Sequence, residues 1–539
     1  MEHNQTLAIA MTGQAGGARR TIFFLVALSV GLLTTLLLIA SVQAAGEAPM
    51  QNGARPLVGT MAHDGGGEDA NKREVHGQLL TSVTAFTGEW VLIIDNAEQI
   101  TVVLTANTDV RKFKNQLPVP GDWLEAEGRV LADGRLEAKK VRPDEFEANE
   151  VIVRLKAGAD PAALAASYEM TVSAVLSSAN IFLFTTKEDE ENEVGALSAD
   201  PRVDWAEINW VSRVPTGDPY RTWKWGETDA SGYINQHAFA QVNLAPALEK
   251  VTGAGVTVAL LDTGLDLQHA VFANRLTLLP NSDMISDTNA PDDVGPGLAW
   301  GHGTHVAGIV HGIAPDAMLM PIRVLDSQGR GNTFVLAYAI ETAVANGADV
   351  INLSLGADCG SRVLSEAVQS AIAAGVVVVA AAGNEGRDVP QCPAALPGVL
   401  AVAAVNENRQ RTAWSNYGAW VSLAAPGEGI TSTFPVGVGA ESGATPGYAV
   451  WSGTSMATPF AAGAAALAVE YAALDQESLT AAELLLLHGD DITAINPTPV
   501  GRHLNIGAAI AGLPTEPEPT PAPTPAPAGV QLFLPTVTR

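Results

Sequence analysis

Five short apolar runs constrain the fold more than any other feature: Val256–Leu261, Met318–Val324, Val350–Leu355, Val376–Ala382 and Val399–Val405. Helical stretches such as Asn332–Asn346 and Val363–Ala374 lie between them. Near-continuous apolar strands alternating with helices imply an α/β domain over residues 219–512, with a parallel sheet covered by helices on both faces. In such a sheet ligands bind beyond the carboxyl ends of the strands. The residues that follow each run are therefore the ones to read for function.

Those residues are polar. The first run ends in Asp262-Thr263-Gly264, the third contains Asn352 and Ser354 and ends at Gly356, and the fourth ends in Gly383-Asn384-Glu385-Gly386. Separately, Gly301-His302-Gly303-Thr304-His305 opens a small-residue helix. Gly453-Thr454-Ser455-Met456-Ala457-Thr458-Pro459 opens an Ala- and Gly-rich segment that runs to about Ala473. This places Ser455 at the start of a buried helix, where backbone N–H groups lack helical partners and the dipole favours negative charge. Pro459 costs little hydrogen bonding near a helix start.

Each motif also has a plainer explanation. Serine is a common helix cap. Asp-Thr-Gly marks aspartic proteases too, but their mechanism needs two carboxylates sharing a proton, and the sequence holds no second such motif. His302, His305 and His311 lack the i, i+4 pair with a glutamate that marks a zinc protease. The Ser455 motif approaches the nucleophile elbow of α/β-hydrolases, whose chain order is serine, acid, histidine. Here the order is aspartate, histidine, serine.

That order is the known one of subtilisin. Five motifs agree in order and spacing: VALLDTGLD, GHGTHVAGIVHG, VINLSLG, VVVVAAAGNEG and SGTSMATPFAAG. Over about half of its length the chain resembles the subtilisin-like serine proteases, or subtilases. The resemblance implies Ser455 as nucleophile, His302 as general base and then acid, and Asp262 as the group that orients His302. It implies Asn384 as oxyanion donor beside the Ser455 N–H, and a packing role for His305. Ser354, Leu355 and Gly356 would pair with substrate backbone, and Ala381, Ala382 and Gly383 would form the facing wall. Small walls imply a broad, mainly apolar preference before the scissile bond, with Glu385 admitting some basic side chains.

The resemblance implies no cofactor for the chemistry. It is compatible with structural calcium, for which Asp266, Asp283, Asp287, Asp292 and Asp293 are candidates. No loop has the EF-hand pattern, and no metal ligand is assigned. Cys359 and Cys392 follow the two strands that flank the cleft. In an exported protein a disulfide between their loops is the expectation, and two separate thiols the alternative.

The remaining segments organise around this domain. Arg19-Arg20, an apolar run from Ile22 to Ala40 and a small-residue exit describe a signal peptide over residues 1–45, cut after Ala44. The run is also long enough to anchor the chain in a membrane through residues 22–40. Residues 46–74 read as a linker. Residues 75–145 carry five short β stretches, Gly77–Val83, Trp90–Ile94, Gln99–Leu104, Trp123–Leu131 and Arg135–Lys140, which suggest a small OB-like barrel. Residues 149–213 follow the order βαββαβ, the ferredoxin-like pattern. Its acidic run, Glu188 to Glu193, reads as a solvated helix start. Placed directly before the α/β domain, this segment resembles the inhibitory propeptides of subtilases, with self-cleavage expected between Val211 and Trp223. Residues 513–528 are a Pro/Thr-rich linker. Residues 529–539 form a short apolar tail, a sheet-edge partner or a sorting signal.

With 30 basic and 58 acidic residues the formal net charge is −28, which argues against nucleic acid and anionic membranes as partners. The expected product is a secreted, monomeric endopeptidase made as a zymogen, with polypeptides as substrates and its own propeptide as inhibitor. An inactive binding scaffold and an esterase are the rival readings.

Overall fold

The computed structural model describes residues 72–94, 99–120, 122–214, 223–224, 229–286, 288–295, 297–436, 447–475 and 479–511. The expected signal peptide, most of the first linker, most of the processing zone, the second linker and the tail lie outside the described residues.

Strands β1 (Lys72–Leu79), β2 (Gly88–Ile93), β3 (Gln99–Leu104), β4 (Trp123–Val130) and β5 (Leu136–Pro143) close a barrel in the order β1-β2-β3-β5-β4. Only β3 and β5 pair in parallel. Trp90, Leu92, Val102, Leu124 and Leu136 fill the interior. β1 starts at Lys72 rather than Gly77, because it pairs with β4 from Lys72↔Arg129 to Gln78↔Trp123. Lys72 lies 2.9 Å from Glu127, a charged strand end that apolar alternation does not reveal.

β6 (Phe146–Leu155), β7 (Thr171–Leu176), β8 (Ile181–Thr185) and β9 (Val203–Arg213) form an antiparallel sheet in the order β9-β6-β8-β7. Two helices cover it. Asp160 caps Pro161–Ser167 by accepting from Ala162 N, and Asp189 caps Glu190–Ser198 by accepting from Asn192 N. The acidic run here is not simply solvated. Lys112 of the barrel lies 2.8 Å from Asp189 and 3.0 Å from Glu190, and Glu190 is buried. The run joins two modules because a barrel lysine needs carboxylates where it is desolvated.

The third module adds β10 (Trp223–Lys224), β11 (Thr257–Asp262), β12 (Met318–Arg323), β13 (Arg330–Asn332), β14 (Val350–Leu353), β15 (Gly356–Ala357) and β16 (Val377–Ala381). β17 (Leu400–Val405), β18 (Leu423–Pro426), β19 (Ile430–Thr433), β20 (Tyr448–Trp451) and β21 (Arg502–His503) follow. Seven of these make the expected parallel sheet, in the order β12-β11-β14-β16-β17-β18-β21. The chain goes from β11 to β12 on one side and returns to β14 on the other. That reversal opens a crevice at the carboxyl ends of β11 and β14.

β9 leaves its own sheet and enters the third module. Val211–Arg213 pair with β13, and Ser212 and Arg213 also pair with β15. Its earlier residues cap two helices there. Glu207 accepts from the N–H groups of Arg362 (2.6 Å) and Val363 (3.0 Å), and Asn209 Oδ1 accepts from Phe334 N at 3.1 Å. These are orphan donors at the starts of helices Arg362–Ala373 and Thr333–Ala345. Ile152, Leu183 and Trp205 share one apolar core with Phe334, Leu364 and Val368 of those helices.

A buried charge cluster joins all three modules. Asp144 receives hydrogen bonds from Arg213 and Arg330, and lies 3.1 Å from His76 Nδ1. Arg330 also pairs with Glu147 at 2.7 Å. Burial disfavours charge on His76, but hydrogen bonds to Asp144 and Glu74 outweigh it and raise its pKa from 6.5 to about 9. A raised pKa stabilises fully below the unfolded value and is lost as pH rises through the folded one. The Ser455→Ala protein should therefore lose about 3 kcal/mol of stability between pH 6.5 and 9, read as a falling Tm. His76→Gln should flatten that fall; an equal fall in the variant would remove His76 as its cause.

Candidate active site

Asp262 ends β11, and His302 is the first residue of helix His302–Ile313. Nδ1 of His302 lies 2.6 Å from Oδ1 of Asp262, and both side chains are buried. Asp262 Oδ1 also accepts from Thr263 N at 2.7 Å. Both groups meet the same oxygen, Oδ1, and the carboxylate fixes which imidazole nitrogen carries hydrogen. The helix sits close enough for this because residue 303 is glycine. A Cβ there would lie 2.0 Å from Gly264 O.

Ser455 lies in the first turn of helix Thr454–Asp475. Its Oγ donates to Ser354 O at 3.2 Å, and its own carbonyl accepts from Ser354 Oγ at 3.0 Å. Pro459 stands further inside the helix than the sequence suggested, and its cost is specific. A proline at 459 has no N–H for the carbonyl four residues earlier, which is that of Ser455. Ser354 Oγ takes the vacant place.

Asn384 follows β16. Its Oδ1 accepts from Thr454 N and Thr454 Oγ1, both at 2.9 Å. Thr454 Oγ1 in turn accepts from Gly383 N at 3.1 Å. With Oδ1 held by Thr454, the amide nitrogen is presented toward Gly453 and Ser455, 3.5 Å from where a Gly453 Cβ would stand. His305 stacks on Trp451 with ring centroids 4.6 Å apart, and its Nε2 lies 3.2 Å from Ala449 O. Burial lowers its pKa to about 3, so it is a neutral packing group.

The structure brings together Asp262 with His302, Ser354 with Ser455, and Gly383 and Asn384 with Thr454. Leu355 and Ala382 point their side chains into the core, so only their backbones can meet a ligand. Gly356 and Gly331 are already paired with β9. The sulfurs of Cys359 and Cys392 are joined in a disulfide, with Cα atoms 5.0 Å apart.

Three of the aspartates considered for calcium, Asp266, Asp283 and Asp293, accept hydrogen bonds from protein groups. Asp283 accepts from Ser286 and from Arg323 at 3.0 Å, and Asp266 accepts from Gln268 N and Val436 N. Asp287 lies outside the described residues. Among the described residues only Glu74, His76 and Glu125 converge as three metal-capable groups, and Arg142 and Asp144 already engage them.

Asp293 is a residue whose role the sequence did not show. Its Oδ1 accepts from Gly301 N at 3.0 Å, and its Oδ2 accepts from Thr304 Oγ1 at 2.7 Å. It thereby anchors the first turn of the helix that carries His302. Burial pushes its carboxyl up to about 7, against those hydrogen bonds, and the Asp262 charge adds to the rise. Eight residues with no local motif lie between it and His302, so only the folded chain identifies it.

Two known families match parts of the chain. The model of the Subtilase family matches residues 253–488, and that of the Fervidolysin N-terminal prodomain matches residues 134–209. The chain is 40% identical over 240 residues to Subtilisin NAT of Bacillus subtilis subsp. natto, covering 41% of this chain and 58% of that protein. It is likewise 40% identical over 240 residues to a subtilisin of Bacillus pumilus, of which it covers 80%. It is 36% identical over 295 residues to Alkaline elastase YaB of Bacillus sp. (strain YaB), of which it covers 67%. The chain thus spans 58% of the length of the Subtilisin NAT protein that it matches.

The anchoring by Asp293 can be measured without turnover. In a Ser455→Ala background, Asp293→Ala should cost about 2–3 kcal/mol in denaturant unfolding, because two helix-start donors lose a buried acceptor. Asp293→Asn, which keeps one acceptor, should cost less than half of that. No loss in the alanine variant would count against the anchor.

Proposed function

The chain belongs to the subtilase family, and on that premise we propose that it is a secreted serine endopeptidase made as a zymogen. The 2.6 Å bond between His302 and Asp262, in a crevice that also holds Ser455 and Asn384, carries the reading. In the proposed reaction Ser455 Oγ attacks the scissile carbonyl carbon and His302 Nε2 takes the hydroxyl proton. Asp262 keeps the imidazole in the required tautomer and stabilises the imidazolium. Negative charge develops on the carbonyl oxygen, where Asn384 Nδ2 and the Ser455 N–H donate to it. The tetrahedral species then collapses: the C–N bond breaks, His302 protonates the leaving amine, and an acyl-Ser455 remains for water to hydrolyse. The side-chain chemistry needs no metal or organic cofactor.

Strand pairing favours peptides over simple esters. Ser354, Leu355 and Gly356 on one edge, and Ala381, Ala382 and Gly383 on the other, would border a broad, mainly apolar pocket for the residue before the scissile bond. Residues 149–213 are read as a ferredoxin-like inhibitory propeptide, and residues 75–145 as an OB-like module that braces it. β9 supports this, because it fills the backbone edges that substrate would use. Residues 219–512 are read as the peptidase domain. Export through residues 1–45, a monomeric mature enzyme and a structural rather than catalytic place for calcium complete the proposal.

The register of β9 makes a processing prediction. Arg213 pairs with Gly356, and Val214 N donates to Gly329 O. Carried on in the same register, the chain just beyond Val214 would meet Ser354, whose carbonyl holds Ser455 Oγ. Mass spectrometry of the secreted protein should find a new N-terminus at Thr216 or within about two residues of it, from the antiparallel register. Ser455→Ala should leave the precursor whole and unlabelled by a fluorophosphonate; clipping at this zone in the variant would rule out self-processing. Asn384→Ala should lower kcat by roughly 10²–10³ while labelling persists slowly.

A further inference from the structure

The two walls of the primary pocket do not enclose open space. Gln391, which belongs to none of the motifs, reaches between them. A Cβ built on Gly356 would lie 2.9 Å from Cδ and from Nε2 of Gln391. One built on Gly383 would lie 2.0 Å from Gln391 Oε1. The carboxamide therefore lies against both glycines at once, one wall on each side.

This placement is fixed by the next residue. Cys392 O accepts from Ala357 N at 2.7 Å, and the disulfide to Cys359 ties the same loop to the end of β15. The neighbouring carboxylate lies beside the same glycine, with Glu385 Oε2 2.8 Å from a Cβ built on Gly383. Glu385 accepts from Asn416 Nδ2 at 2.5 Å, and that amide also donates to Ala382 O at 3.0 Å. That bond occupies one of the two carboxylate oxygens of Glu385. Gln391 Oε1 is buried and accepts no hydrogen bond among the described residues.

We propose that Gln391 sets the specificity of the cleft, by filling the depth between Gly356 and Gly383 so that the residue before the scissile bond must be small. Glycine, alanine and serine fit beside the carboxamide, and a serine hydroxyl can donate to its unpaired oxygen. Phenylalanine or leucine would have to displace this half-buried carboxamide from between the two glycines. The proposal rests on the peptidase reading and narrows the broad apolar preference that the walls alone suggest.

The test uses the processed, secreted enzyme. Fluorophosphonate titration first counts active sites, so a failed peptidase reading shows as absent labelling and removes this proposal with it. Tetrapeptide anilides differing only in the last residue then report kcat/KM. The wild type should cleave after alanine at least about tenfold faster than after phenylalanine, and Gln391→Gly should raise the phenylalanine-to-alanine ratio by at least about tenfold, a change of pocket contacts alone. Equal wild-type cleavage after alanine and phenylalanine overturns the proposal whether or not the variant folds. An unchanged ratio in an active Gln391→Gly enzyme overturns it as well.

Discussion

Gly453 to Ala468 are buried without a break, and small side chains make this arrangement workable. An alanine- and glycine-rich helix lets neighbouring backbone come close, so Thr454–Asp475 can lie between the sheet and the His302 helix with little void. A helix apolar on every side belongs in a core. Phe460 and Leu467 are fully buried and contribute about 1.5–3 kcal/mol each. The first turn inherits this rigidity. Thr454 and Ser455 are held by the same packing that holds the core, so the proposed nucleophile and the residue that orients Asn384 do not depend on a surface loop. The helix is also long and apolar enough to cross a membrane, and 67% of its most apolar window is buried inside the fold.

One buried carbonyl at that helix start finds its donor outside the helix. Pro459 removes a donor from Ser455 O, which would otherwise be a buried carbonyl without a partner. Ser354 Oγ supplies the donor, and Asn352 Nδ2 donates to Ser354 Oγ at 3.0 Å. The chain Asn352–Ser354–Ser455 thus runs from the middle of β14 to the helix that carries the hydroxyl. It couples the edge proposed to pair with substrate to the group proposed to attack it. A shift of either would leave a buried polar group unsatisfied, at a cost of about 1–3 kcal/mol.

The sequence carried the parts of this molecule whose chemistry is local. Parallel strands buried on both faces must be nearly continuous in apolar residues, so the sheet was legible in its runs. A carboxylate at a strand end, a histidine at a helix start and an amide after a Gly are short motifs, and their order narrowed the chemistry further. The helix start in the acidic run Glu188 to Glu193 was legible for the same reason, and Asp189 caps it. What was hidden depends on contacts between distant segments. Nothing local marks Asp293 as an anchor, Gln391 as an occupant of the pocket, or Lys112 as the partner of the acidic run. The extension of β1 to Lys72 was hidden too, because a charged strand end has no apolar period. β13 is three residues long and becomes a strand only because β9 pairs with it.

The way β9 is held divides affinity from register. The core contacts of its sheet, Ile152 on β6, Leu183 on β8 and Trp205 on β9 against the helices behind the cleft, remove apolar surface from water and supply most of the holding energy. The ionic cluster contributes differently. Arg330 and Asp144 are almost wholly buried, and desolvating such charges uses up much of what their attraction returns. Their geometry is still exacting, because a one-residue slip of β9 would remove Arg213 from Asp144 and from the face of Trp123, 4.2 Å away. A slip would also take Glu207 and Asn209 away from the helix starts that they cap. Apolar burial therefore keeps the strand in the cleft, while the charges and caps permit one register only. Severing the chain beyond Val214 leaves every one of these contacts intact, so a cut there would not by itself empty the cleft.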